Sequence, residues 1–284
     1  MAEAVEQTCY RHPDRVTGLS CSECGRPICT ECMTMAPVGI RCPEHSGKPQ
    51  GVQRVTRGVQ RAAFEGAGAK VTKLIIGLNV AVYVAELAQG GGVYGLQSTI
   101  YEKGVLWAPF VAQGDYWRLL TAAFLHYGPF HLLLNMLGLY WFGSLLEQRL
   151  GSGRFLLIYV VSGLAGSAGA LVLDPLKPTV GASGAIFGIL GAGLVLERQR
   201  DYVFGGSALG VIVANLVLTF AWPNISIGGH IGGLIGGAAA VLALSRLGRG
   251  HAAYGRAGLA GIAAIVAVGI LSVALAYWKA RGYG

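Results

Sequence analysis

Four polar side chains lie in a part of the sequence that is otherwise strongly apolar. His131 and Asn135 are four residues apart, which places them on one face of a helix. Ser183 lies in Gly181-Ala-Ser-Gly184, and His230 lies between pairs of glycines. A serine hydroxyl becomes a nucleophile when a histidine takes its proton, and histidine or asparagine N–H groups can stabilise the resulting oxyanion. Taken singly, each residue has an ordinary structural role, such as a serine that bonds to its own helix. Together they predict a hydrolytic site.

A second set of chemically capable residues falls within the first 45 residues. It consists of four closely spaced pairs: Cys9 and His12, Cys21 and Cys24, Cys29 and Cys32, and Cys42 and His45. Eight ligands of these types predict two tetrahedral Zn²⁺ sites, and the metal would supply folding energy to a segment with little apolar sequence. The alternative is a disulfide cluster, since six cysteines are an even number. Two histidines at ligand spacing favour zinc.

The composition is that of an integral membrane protein. Of the 284 residues, 53% are hydrophobic and 13% are charged, about half the charge of a soluble domain. The formal net charge of +8 is typical of basic residues on the cytoplasmic side of a membrane, so no nucleic acid is expected as a partner.

Seven apolar stretches predict an all-α polytopic fold that would hold the polar residues in place. They cover residues 71–89, 129–146, 154–173, 183–196, 203–222, 228–245 and 257–278. Several approach the length needed to span about 30 Å of hydrocarbon. The fourth is short, as expected of a helix that begins inside a cavity.

The lysines and arginines predict an orientation with the N-terminus in the cytoplasm and the C-terminus outside. The inner flanks and loops would then carry Lys70, Lys73, Arg149, Arg154, Arg198, Arg200, Arg246, Arg249 and Arg256, and the outer ones Lys103, Arg118, Lys177, Lys279 and Arg281. In this topology the four polar residues share one depth, just below the outer surface. We expect an integral protein of a bacterial cell membrane.

Five short motifs carry a family resemblance. They are Trp117-Arg118, His131-x3-Asn135, Glu147-x-Arg149, Gly181-x-Ser183-Gly184 and His230-x2-Gly233-x3-Gly237. In this order, over residues 71–246, they resemble the motifs of rhomboid proteases. The resemblance implies a six-helix core, with the serine on the fourth helix and the histidine on the sixth, followed by one extra C-terminal transmembrane helix. The glycines of the last motif would let these two helices pack closely.

The resemblance also implies an activity, that of an intramembrane serine endopeptidase acting on transmembrane proteins. Ser183 would be the nucleophile and His230 the general base, with His131, Asn135 and the Ser183 backbone N–H binding the oxyanion. Catalysis would need no cofactor. Because no carboxylate is available to orient His230, we expect a dyad whose ring is held by packing.

The N-terminal segment resembles B-box-type zinc fingers. That resemblance implies that Cys9, His12, Cys29 and Cys32 hold one structural Zn²⁺, and that Cys21, Cys24, Cys42 and His45 hold the other. The expected organisation is a zinc-binding domain (1–46), a basic Gly-rich linker (47–69), the six-helix core (70–248) and the extra helix (249–284).

Other functions remain open at this point. A catalytically inactive relative acting as a membrane binding or quality-control module would be expected to lack Ser183 or His230. A transporter would carry charged residues at mid-membrane. A zinc-finger adaptor anchored in the membrane would need only one or two transmembrane helices without ordered polar residues. The expected partners are the lipid bilayer, transmembrane substrates and a cytoplasmic protein that binds the zinc domain.

Overall fold

The computed structural model describes residues 7–35, 39–45, 68–90, 92–94, 96–199, 201–221, 225–247 and 259–284. The chain divides into two compact units, Met1–Ala62 and Ala63–Gly284. The predicted linker over 47–69, with Arg54, Arg57 and Arg61, lies outside the described residues except for its last two positions.

The N-terminal unit contains two short antiparallel hairpins. Strand β1 (Thr8–Cys9) pairs with β2 (His12–Val16), and β3 (Thr34–Met35) pairs with β4 (Ile40–Arg41). Its buried centre consists of cysteines and Ile28. So small an apolar centre agrees with a fold whose stability depends on bound metal.

The second unit is helical, as predicted. Its helices in chain order are α1 (Lys70–Ala88), α2 (Thr99–Gly104), α3 (Ala108–Ala112), α4 (Arg118–Thr121), α5 (Gly128–Gly138), α6 (Ser144–Leu150), α7 (Ser152–Leu173), α8 (Ser183–Arg198), α9 (Ala208–Ala221), α10 (Ile227–Leu247) and α11 (Leu259–Ala280). A π-helical turn, Leu139–Gly143, joins α5 to α6. Each of the seven predicted apolar stretches contains a helix within its described residues, and α2, α3 and α4 form the connection between the first two.

Five helical segments of the described chain are long and apolar enough to cross a membrane. They are Lys70–Ala88, Gly128–Leu150, Ser152–Leu173, Ile227–Ser245 and Leu259–Tyr283. This result agrees with a polytopic membrane fold. The helical segment Leu259–Tyr283, which corresponds to the stretch predicted at 257–278, is long enough for a full span. Helices α8 and α9, with 16 and 14 residues, are shorter than the roughly 20 residues that a full crossing requires.

The centre of the bundle is formed by α7, α8 and α10, which pack through glycine. A Cβ atom added to Gly233 would lie 1.9 Å from the carbonyl oxygen of Gly184, and one added to Gly237 would lie 1.9 Å from that of Gly188. No side chain fits at such contacts, so α8 and α10 approach backbone to backbone, as small residues allow in membrane proteins.

A buried carboxylate fixes the start of α1. Glu147 accepts hydrogen bonds from the backbone N–H groups of Val71 and Thr72 at 3.0 and 2.8 Å, and from the hydroxyls of Thr72 and Ser152. The first N–H groups of a helix have no partner within the helix. Glu147 therefore acts as a distant cap that ties α1 to α6 and α7.

Two arginines brace opposite ends of the bundle. Arg118 donates to the carbonyl oxygens of Glu102 and Val105 and pairs with Asp115, which ties α2 to α4. Arg149 makes a two-pronged ion pair with buried Asp201, at 2.6 and 2.7 Å. These contacts give both arginines a structural role.

Candidate active site and metal sites

Ser183 is the first residue of α8 and is half-buried. Its backbone N–H and the next ones lie at the positive end of a 16-residue helix, where they have no partner within the helix. Gly181, two residues earlier, has φ +122°, a conformation that side chains rarely tolerate. The serine hydroxyl thus lies at the N-terminus of the helix, directly after this glycine turn.

His230 is buried in the first turn of α10 and packs on the helix that carries Ser183. Its ring stacks on Phe187, with centroids 4.0 Å apart and an interplanar angle of 18°. Phe187 is one turn after Ser183 and so lies on the same helix face. The backbones also meet here, since a Cβ on Gly184 would lie 3.3 Å from the Gly229 carbonyl oxygen.

One ring nitrogen of His230 has a partner that the sequence did not suggest. Nδ1 lies 2.7 Å from the hydroxyl of Thr219, on α9. The expectation that packing holds the ring is therefore incomplete, because a hydrogen bond holds its edge as well. Thr219 gave no signal in the sequence, since a threonine in an apolar helix usually bonds only to its own backbone.

His131 lies in the first turns of α5 and points toward the serine. Its Nδ1 accepts the backbone N–H of Tyr127 at 3.2 Å, so the proton of the neutral ring is on Nε2. A Cβ on Gly181 would lie 2.9 Å from this Nε2 and 3.8 Å from Ser183 Oγ. An N–H donor and a serine hydroxyl therefore converge on one point, which any side chain larger than that of glycine at position 181 would fill.

Asn135 lies one turn beyond His131 and is buried. Its amide nitrogen donates to the carbonyl oxygen of His131 at 2.8 Å, and its Oδ1 has no hydrogen-bond partner within the described chain. The amide group has two N–H donors. One is therefore used within the helix, and the hydrogen bonds of the described residues give no partner for the second.

The side chains of Ser183 and His230 are not joined by a hydrogen bond among the described residues, where the His230 ring bonds to Thr219 instead. Hydrogen bonds between catalytic groups are often long or poorly aligned before substrate binds, so this arrangement does not exclude a serine–histidine pair.

His126 is a site neighbour that the sequence reasoning missed. It is buried, and its ring centroid lies 5.2 Å from that of His131. Burial, aided by nearby His131, lowers the pKa of His126 to about 3, so its ring is neutral at physiological pH. The sequence feature that could have indicated His126 is its position five residues before His131.

The N-terminal unit brings the cysteines and histidines together in two groups of four. Cys9, His12, Cys29 and Cys32 form one group, and Cys21, Cys24, Cys42 and His45 form the other; within each, the ligand atoms lie within 4.8 Å of one another. This is the grouping that the B-box resemblance implies. Either group could hold a metal ion.

The distances within the groups lie within about 0.3 Å of those expected around a tetrahedral ion. The Sγ atoms of Cys29 and Cys32 lie 3.3 and 3.4 Å from His12 Nδ1, and in the other group Cys24 Sγ lies 3.8 Å from Cys42 Sγ. Metal bonds of 2.3 Å to sulfur and about 2.05 Å to nitrogen give tetrahedron edges of roughly 3.6–3.8 Å. All six cysteines are free, so the disulfide alternative has no support in the structure.

Comparison with known proteins identifies a family. A family model described as the Rhomboid domain matches residues 113–247, a range that contains the four candidate catalytic residues. The chain belongs to the rhomboid family. It is an integral membrane protein with a polytopic, all-α rhomboid-type fold.

Several rhomboid relatives are similar to this chain. Rhomboid protease GluP of Bacillus subtilis is 40% identical over 202 residues, which cover 69% of this chain and 39% of GluP. The putative rhomboid protease YdcA of the same organism is 41% identical over 132 residues, or 45% of this chain and 66% of YdcA. RHOMBOID-like protein 5 of Arabidopsis thaliana is 36% identical over 146 residues, or 49% of this chain and 47% of that protein. The matches thus cover less than two thirds of each of these relatives.

Proposed function

We propose that this protein is an intramembrane serine endopeptidase that hydrolyses peptide bonds in or near transmembrane segments. Relatives named rhomboid protease support this class of activity. The observation that carries the proposal is the convergence of His131 Nε2 and Ser183 Oγ on the open space at Gly181. His230 lies close by, because its ring stacks on Phe187, one helical turn after Ser183.

The chemistry would begin with a proton transfer. As Ser183 Oγ attacks the scissile carbonyl carbon, its proton passes to Nε2 of His230. The tetrahedral intermediate collapses when the imidazolium returns that proton to the departing amine, which leaves an acyl-enzyme on Ser183. Water, deprotonated by His230, then attacks the ester carbonyl, and the imidazolium returns that proton to the departing Ser183 Oγ. This step releases the free serine and a carboxylic acid, which ionises to the carboxylate by losing a proton to solvent. No metal or cofactor takes part in these steps.

The oxyanion would be stabilised by three donors. They are Nε2–H of His131, the second N–H of the Asn135 amide and the backbone N–H of Ser183. Removing one such donor costs about 3–4 kcal/mol of barrier in other hydrolases. The α8 N-terminus adds a positive partial charge at the same place.

The substrate would be a transmembrane segment that can be extended locally. The candidate residues lie at the starts of α5, α8 and α10, on the side of the bundle where the connection containing α2, α3 and α4 lies. Irregular backbone at membrane depth is tolerated around a water-filled cavity. With the N-terminus in the cytoplasm of a bacterial cell, this side faces outward, and segments with Gly, Ala or Pro near their outer end are the expected class.

For the N-terminal unit we propose two structural Zn²⁺ ions in a domain over residues 1–46, ahead of the linker (47–69), core (70–248) and extra helix (249–284). Three thiolates and one imidazole per group are characteristic ligands of structural zinc. We further propose that this domain binds a cytoplasmic partner. Deleting residues 1–46 should leave cleavage in detergent intact and change it in cells, whereas lost cleavage in detergent would contradict a partner role.

The deciding experiment is cleavage of a model single-span substrate by purified full-length protein in detergent. Ser183→Ala and His230→Ala should each lower kcat by at least about 10³-fold. A fluorophosphonate should label the wild type and not Ser183→Ala. Ser272→Ala is the matched control, because it removes a buried hydroxyl whose hydrogen bond within the described chain goes to the Val268 carbonyl oxygen of its own helix. Equal behaviour of all variants would favour the inactive binding module instead.

A further inference from the structure

A buried chain of two hydrogen bonds connects three groups: the Asn215 carbonyl and the Thr219 hydroxyl on α9, and the His230 ring on α10. Thr219 Oγ1 donates to the carbonyl oxygen of Asn215 at 2.7 Å, and the same oxygen lies 2.7 Å from His230 Nδ1. Thr219 is 2% exposed and His230 6%. Water therefore has little access to replace either contact.

The chain has a definite direction. A hydroxyl has one hydrogen and can accept further bonds on oxygen. Because the Thr219 hydrogen goes to Asn215, the oxygen is left to accept, and His230 Nδ1 must donate. The neutral ring is then protonated on Nδ1 and has its lone pair on Nε2. That is the tautomer in which His230 can take a proton from Ser183.

We infer that Thr219 is a positioning residue that sets the tautomer and orientation of His230, an inference that rests on the proposed function. Its hydroxyl takes the place that a carboxylate has in a Ser-His-Asp triad. When His230 becomes an imidazolium, the Nδ1–H bond to Thr219 becomes charge-assisted and therefore stronger. The Asn215 carbonyl oxygen, which accepts the Thr219 hydrogen, polarises the hydroxyl and makes its oxygen a better acceptor for the charged ring. Phe187 fixes the ring face, and Thr219 fixes the ring edge.

The tautomer can be observed without turnover. Full-length protein labelled with ¹⁵N-histidine is studied by NMR in detergent, and the His230 signals are assigned by their loss in His230→Gln. The expected result is a proton on Nδ1 in the wild type and in Thr219→Ser, and a mixture of tautomers in Thr219→Val. A wild-type ring protonated on Nε2, or an unchanged tautomer in Thr219→Val, would overturn the inference.

Kinetics provide the second readout. Thr219→Val keeps the size of the side chain, and should lower kcat by about tenfold to a hundredfold while KM changes by less than about twofold. Thr219→Ser should stay within about threefold of wild type, because it retains the hydroxyl. Equal loss in the serine and valine variants would assign the effect to packing and contradict the inference. If Thr219→Val does not fold, Thr219→Cys, a weak acceptor of similar size, gives the same comparison.

The two proposals fail in different ways. Wild-type protein that neither cleaves substrate nor reacts with a fluorophosphonate overturns the proposed function. The NMR measurement needs no activity, so it decides the role of Thr219 toward His230 by itself.

Discussion

The imidazole of His230 lies flat on the ring of Phe187, with centroids 4.0 Å apart and planes inclined by 18°. Phe187 and Ser183 belong to the same helix face, so the stack relates the proposed general base, His230, to the proposed nucleophile, Ser183, through one helix. The orientation of His230 therefore depends on an aromatic side chain that takes no part in proton transfer.

Replacing Phe187 should distinguish its effect on the orientation of the His230 ring from its effect on the stability of the protein. Phe187→Leu retains most of the apolar volume and removes the flat surface, so we expect kcat to fall about tenfold or more while the free energy of unfolding changes by less than about 1.5 kcal/mol. Cleavage of a model substrate and unfolding of the purified protein measure the two quantities. Phe187→Tyr, which keeps the ring, is the control and should remain active. Wild-type kcat in Phe187→Leu would show that the stack is dispensable.

Removing the His131 donor should affect the transition state more than substrate binding. In His131→Phe the ring shape is kept and Nε2–H is lost, so kcat should fall by about 10²-fold with KM nearly constant. Steady-state kinetics on the model substrate provide the check. Leu133→Phe is a suitable control, because Leu133 is exposed on the same helix. A rise in KM alone would instead assign His131 to substrate binding.

A methyl group between α8 and α10 should destabilise the bundle. In Gly237→Ala the new Cβ would lie 1.9 Å from the Gly188 carbonyl oxygen, which forces the helices apart. We expect a loss of about 1–3 kcal/mol, measured as the midpoint of unfolding by SDS. Gly210→Ala is the matched control, because a Cβ there meets nothing within 4 Å. Equal midpoints for the two variants would contradict the close approach of these helices.

The zinc content should follow the two ligand groups. Purified protein is expected to contain about two zinc ions per chain, since eight ligands fill two four-coordinate sites. Cys32→Ser and Cys42→Ser should each lower the content by one or more ions, as measured by elemental analysis. Ser22→Ala, beside the second group, should retain both ions. Metal-free protein with oxidised cysteines would instead support the disulfide framework.

Much of the site could be predicted because polar residues are rare in apolar sequence. His131, Asn135, Ser183 and His230 all interrupt predicted membrane helices, where such groups are costly unless they have a use. The eight candidate metal ligands could be predicted equally well, since their spacing in pairs is a local property of the chain.

The partners that adjust these residues could not be predicted. Thr219 contacts His230 from another helix. In the sequence, Phe187 cannot be distinguished from the other apolar residues of α8. The protonated nitrogen of His131 depends on a backbone N–H at Tyr127. Such relationships depend on tertiary distances and backbone geometry, which residue types and spacing do not encode.

The carboxylate of Glu147 has a consequence for biosynthesis. The first N–H groups of α1, at Val71 and Thr72, bond to a side chain 76 and 75 residues later in the chain. At typical translation speeds of about 5–20 residues per second, they wait roughly 4–15 s for that partner to be made. During this time water or lipid headgroups must satisfy them, because unpaired backbone donors are costly in hydrocarbon. The first turn of α1 therefore reaches its final environment only after α6, which carries Glu147, has left the ribosome.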